Sequence, residues 1–163
     1  MNKLMTTTIQ PTPTSESDRI ERKVHIKAPR SKVWRSISDA SQFGIWFGAA
    51  LQGKTFTSGQ RVEVPMTIPG CEHIMFDVIP ERIEPERLMS YRWHPYTTGD
   101  DPSQEERTLV TFSLKEADGG TLLTVVESGF DKISPARRAR AFAGNSNGWE
   151  FQLKRIDAYA SAN

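Results

Sequence analysis

Apolar and polar residues recur along this chain in two rhythms, a period of two through most of it and a period near four at its end. Ile20, Val24 and Ile26 share one side of a period-two pattern, with Lys23, His25 and Lys27 on the other. That predicts a half-exposed strand over 19–27. Ala28-Pro29 closes it and opens a short helix, whose Val33, Trp34 and Ile37 make a narrow apolar stripe. Ser38-Asp39 starts a second helix through Phe43, and Gly44 places Trp46 and Phe47 in a following loop.

Strand rhythm then runs from Arg61 to Ser128. Val62, Val64 and Met66 alternate with polar neighbours, although Pro65 restricts that strand to an edge or a bulge. A second strand over 73–83 is interrupted near Pro80. A third, over 87–94, sets Met89, Tyr91 and Trp93 on one face. After an acidic loop over 95–106 come strands at 107–114 and 121–128. They are joined as a hairpin through Ala117-Asp118-Gly119-Gly120, a strong turn signal.

The last thirty residues read as one long helix. Ser134-Pro135 supplies a hydroxyl cap and a proline at the first helical position. Phe142, Ser146, Trp149, Leu153, Ile156 and Ala160 then fall on one face. The centre, Gly144-Asn145-Ser146-Asn147-Gly148, weakens this helix by on the order of 3 kcal/mol relative to alanine. Close packing on a sheet or a need for space beneath the helix would account for that, as would a break between two helices. One strand, two short helices, a run of antiparallel strands and a final helix predict an α+β fold. A twisted antiparallel sheet curls around such a helix and leaves a cavity between them.

Composition narrows the picture. A chain of 163 residues fits one domain with a substantial core. Residues 1–18, rich in Thr, Pro and Ser, are expected to be a disordered tail, and 19–160 the domain. A net charge of +1 argues against a nucleic-acid partner. No apolar run is long enough for a membrane span, and Met1 to Thr8 lacks the apolar core of a signal peptide. A single cysteine, Cys71, excludes an internal disulfide and suits the cytoplasm.

Four groups of residues carry a family resemblance. Ile26-x-Ala28-Pro29, followed by Val33-Trp34-x-x-Ile37-Ser38-Asp39 and Trp46-Phe47, resembles the opening of the activator-of-heat-shock-protein-90-ATPase homologue-like (AHSA-type) proteins. These belong to the START-related, Bet v 1-like superfamily (SRPBCC). Pro85-Glu86-Arg87-Leu88 with Tyr91-x-Trp93 is similar to the central strand pair of that family. Gly120-Thr121 with Glu127-Ser128-Gly129-Phe130 resembles its last strand, and Gly148-Trp149 with Leu153 and Ile156 its C-terminal helix. The resemblance spans residues 19–160. It implies a helix-grip fold, a curved antiparallel sheet of six or seven strands around the C-terminal helix. Family members include chaperone regulators, lipid carriers, polyketide cyclases and resistance proteins, so fold alone does not fix function.

Candidate site residues follow from the expected cavity. Trp46 and Phe47, with Trp34 and Phe43, form either an aromatic wall or core anchors, and Trp34 reads as structural. Met66, Met89, Tyr91 and Trp93 lie on strand faces that line the cavity if those faces are concave. Asp77 and Glu127 interrupt apolar strands, as acid–base groups or as partners of an arginine such as Arg92 or Arg107. Phe142, Asn145, Ser146 and Trp149 lie on the inward side of the helix. The histidines lack metal-ligand spacing, no nucleophile motif surrounds Cys71, and no cofactor is expected. Arg137, Arg138 and Arg140 read as a solvated face. The function that emerges is a non-enzymatic protein, monomer or homodimer, that binds a small hydrophobic or aromatic molecule through Trp46, Phe47, Met66, Met89, Tyr91, Trp93, Glu127, Phe142, Asn145, Ser146 and Trp149. The alternatives are a chaperone-type regulator of a protein partner, using the exposed strand face or the acidic loop, and a polyketide cyclase or hydrolase-like enzyme.

Overall fold

A computed structural model describes residues 18–95 and 104–162. The expected tail, except Asp18, and most of the acidic loop lie outside the described residues. Six strands, β1 (Arg19–Ile26), β2 (Val62–Pro65), β3 (Met75–Glu84), β4 (Leu88–Trp93), β5 (Thr108–Ala117) and β6 (Gly120–Ser128), form one antiparallel sheet in the order β1-β6-β5-β4-β3-β2. Helices α1 (Arg30–Ser38) and α2 (Ala40–Phe47) follow β1, and α3 (Pro135–Ser161) ends the chain. This is the α+β arrangement expected, with six strands and two short helices after the first.

Local chemistry explains the joints. The β5–β6 hairpin turns on Asp118 and Gly119, both at positive φ (49° and 75°). Two such residues match the right-handed twist of the strands they join. β2 is an edge strand, paired on one side with β3 (Pro65 opposite Met75), so a proline is tolerated there with no strand on the outer side to leave unpaired. It is shorter than its alternation suggests, and Met66 only bridges Ala49. In β3 the pairing with β4 shifts between Pro80 and Ile83.

Two expectations are corrected. Trp46 and Phe47 belong to the last turns of α2, not to a loop after it. Gly44 is a helix-interior glycine because a Cβ there would stand 2.4 Å from the Ala49 carbonyl oxygen. It marks a close approach of backbone, while Gly48, at φ 93°, ends the helix. Arg137, expected in solvent, is 6% exposed. Its guanidinium donates to Glu105 Oε1 at 2.8 Å and to the Pro95 carbonyl at 3.3 Å.

α3 runs unbroken through 144–148. A Cβ added at Gly144 or Gly148 would meet nothing within 4 Å, so neither glycine is there for close packing. The core lies between the sheet and the helices, with Ile37, Phe43, Val78, Val110, Phe112 and Leu123 fully buried.

Candidate functional site

Every second residue of β6 faces inward, and Leu123, Val125 and Glu127 are all at 0% exposure. A carboxylate therefore occupies the inward position that alternation would give to a third apolar side chain. Burying one costs several kcal/mol unless hydrogen bonds replace its water. Four side chains provide them. Oε1 accepts from Trp149 Nε1 and Asn145 Nδ2, both at 2.8 Å. Oε2 accepts from Trp93 Nε1 at 2.8 Å and Thr108 Oγ1 at 2.6 Å. Burial still outweighs these bonds and raises the Glu127 pKa. Among the described residues no Lys or Arg pairs with it.

The two indoles that meet at this carboxylate stack on each other, with centroids 5.7 Å apart and planes 29° from parallel. Phe47 packs against both, at 6.3 Å from Trp149 and 6.0 Å from Trp93. Tyr91 lies deeper, at 0% exposure. Among the described residues its hydroxyl has no hydrogen-bond partner, and burial raises its pKa.

Beside this cluster a cavity of about 420 Å³ opens between α3 and the β2–β4 side of the sheet. Phe47 comes from the end of α2. Met66, Ile68, Ile74, Met75 and Phe76 come from the segment between β2 and β3 and the start of β3. Trp93 and His94 lie at the end of β4, and Asn145, Gly148, Trp149, Phe151 and Gln152 come from α3. Met75 and Phe151, 46% and 50% exposed, stand on its solvent side. The walls are apolar and aromatic with a few polar groups, as in sites for small organic ligands.

Asp77, a further lining residue, is held by Arg61 at 2.8 Å and Arg107 at 3.2 Å. The Arg61 hydrogen bond holds its carboxyl below the usual carboxylate range. His94 also borders the cleft, and burial lowers its pKa, favouring the neutral ring. Gln152 donates to the Phe47 carbonyl at 2.9 Å and so ties α3 to the end of α2. Among the described residues no group of three His, Cys, Asp or Glu side chains could hold a metal ion.

Of the residues singled out from sequence, Phe47, Met66, Trp93, Asn145 and Trp149 line the cleft. Glu127 stands behind them. Met89 and Tyr91 are fully buried core on the same strand face as Trp93, further from its open end. Trp46 is 3% exposed and donates to the Ser36 carbonyl at 2.7 Å, anchoring α2 to α1. Phe142 packs on Phe130 at 5.3 Å, and Ser146 is half-buried outside the lining. Ile68, Ile74 and Met75 also line the cleft but are not among the residues the sequence singles out: the strand expected over 73–83 begins at Met75, and the residues before it form an irregular segment whose facing alternation does not give. Gly148 and Gln152 had a signal, the weak helix centre and its spacing from Trp149.

A six-stranded antiparallel sheet with a long C-terminal helix over an aromatic cleft defines a helix-grip protein of the Bet v 1-like, START-related class. Residues 27–161 match the model of the family described as Activator of Hsp90 ATPase homolog 1-like protein, and the chain belongs to that family. Among solved structures it is similar to protein MLL2253 from Mesorhizobium loti, at 23% identity and TM-score 0.67, covering 86% of this chain and 95% of that one. DynU16, a protein of the dynemicin biosynthetic locus, aligns at 24% identity and TM-score 0.66, covering 87% of this chain and 46% of its own. The Aha1 dimer from Colwellia psychrerythraea aligns at 12% identity and TM-score 0.59, covering 88% and 96%. At these identities the likeness establishes the fold. A comparison with curated proteins finds no match. No helix among the described residues is long and apolar enough to cross a membrane.

Proposed function

We propose that this protein binds a small hydrophobic or aromatic molecule in the cleft between the sheet and α3. The observation that carries the reading is an aromatic cavity of about 420 Å³ beside a helix position, Gly148, where a side chain would find open space. That volume falls within the roughly 300–1,000 Å³ of small-molecule sites. Residues 19–160 form the binding unit, without a cofactor. A cyclase or hydrolase would need a reactive group facing the ligand. Glu127 and Tyr91 are buried behind the wall, and Asp77 is committed to two arginines, which favours binding over chemistry.

Native mass spectrometry after exposure to a cell extract tests this. The wild type is expected to carry a non-covalent small molecule that Gly148→Leu, filling the cleft, no longer retains. A wild type that emerges empty, or a variant that captures the same molecule equally well, overturns it.

A second reading, regulation of a protein partner, draws on exposed Met75 and Phe151 at the cleft and on the chaperone activators of the family. Stimulation of an Hsp90-type ATPase would favour it. The similarity to a dimeric Aha1 makes homodimerisation worth measuring by light scattering.

A further inference from the structure

Glu127 touches no part of the cleft, yet three of its four hydrogen-bond donors do. Trp93, Asn145 and Trp149 are all lining residues, and each directs its N–H group away from the cavity onto the same carboxylate. They come from β4 and from two positions one turn apart on α3, so the carboxylate joins the two walls of the cleft at one point. An apolar residue at 127 would be the cheaper choice for a core, because a buried carboxylate without a cationic partner is costly. It would leave two indole N–H groups and an amide without a common acceptor and the rings free to take other tilts. Asn145, a poor residue for a helix interior, acquires a reason at the same time.

We infer that Glu127 is a positioning residue for the ligand site: it sets the orientation of the Trp93–Trp149 pair and thereby the shape of the aromatic wall, without contacting the ligand. The inference rests on the proposed ligand-binding reading. It assigns the carboxylate neither an acid nor a base role.

The test uses N-phenyl-1-naphthylamine, a neutral aromatic fluorophore, on the full chain, together with the ¹H–¹⁵N indole resonances. Glu127→Gln replaces one of the two acceptor oxygens with a donor, so one of the two indole N–H groups loses its acceptor. It is expected to weaken probe affinity at least tenfold and to shift the Trp93 and Trp149 indole N–H signals. Thr108→Val removes a bond to the same carboxylate but no cleft residue, and should stay within twofold of wild type in affinity. A purely structural role predicts instead that both variants lower stability and neither changes affinity. Glu127→Gln within twofold of wild type, or with unmoved indole signals, overturns the inference. If Glu127→Gln does not fold, Glu127→Met keeps the side-chain length and removes the common acceptor without altering a lining residue. A tenfold loss with shifted indole signals supports the inference, and affinity within twofold of wild type overturns it. Should the wild type bind no probe, the ligand-site reading falls by itself. The indole signals then decide: unmoved, they overturn the positioning role, and shifted, they uphold the tether.

Discussion

Two carboxylates of the inner region, Glu127 and Asp77, look alike in sequence as acids within apolar strands, and the folded chain treats them oppositely. Arg61 and Arg107 reach Asp77, whereas Glu127 receives only neutral donors among the described residues and sits at 0% exposure. Its pKa is accordingly raised above the ordinary 4.5, mainly by burial. The native state then keeps the Glu127 proton to higher pH than the unfolded chain does. The stability linked to it is complete below about pH 4.5 and is lost as pH rises through the raised native value. Urea unfolding across a pH series should show that decline in wild type and not in Glu127→Gln; parallel curves would contradict it. A carboxylate out of place on β6 was legible from alternation alone. Its partners were not, because they come from three other elements, 18 to 34 residues away. For the same reason the period-two pattern grouped Met89, Tyr91 and Trp93 as equals, although only the last reaches the cleft.

Among the elements, α3 shows most clearly what a local pattern can and cannot say. Its start, its apolar stripe and its weak centre were all readable. Whether that centre was a break, a packing contact or a gap depends on what stands opposite, which no spacing within the helix reports. Open space at both glycines makes two substitutions informative. Gly144→Ala and Gly148→Ala should each stabilise the protein by about 1 kcal/mol, as alanine does in a helix interior. Only Gly148→Ala should also weaken ligand uptake, since Gly148 lines the cleft and Gly144 does not. Thermal melts paired with probe titrations check both. Nothing in the structure explains Asn147. Gly44 carries the converse lesson: a glycine read as the end of α2 is interior to it, because the constraint on it comes from the carbonyl of Ala49.

At the scale of the molecule, the α+β class and the order of elements followed from rhythm and turn chemistry, and the resemblance supplied the grip of sheet on helix. Which strands become neighbours was legible only for the hairpin. The start of α3 is also tied to the sheet's connections by charge, in a way that composition could not show. Arg137 in the first turn of α3 holds Glu105 and the Pro95 carbonyl, so the helix start is fastened to the segment between β4 and β5. Arg137→Met, which strands a partly buried carboxylate, should cost about 3 kcal/mol in urea denaturation. A loss under 1 kcal/mol would mean that Glu105 finds water instead. The sheet order has a further consequence, for synthesis. β1 pairs only with β6, Ile26 opposite Thr121 and Arg19 opposite Ser128. A growing chain therefore carries its first strand, with Ile20 and Ile26 uncovered, until nearly the whole sheet has left the ribosome. At about 5–20 residues per second that wait is roughly 5–20 s, long enough for holdase chaperones to matter.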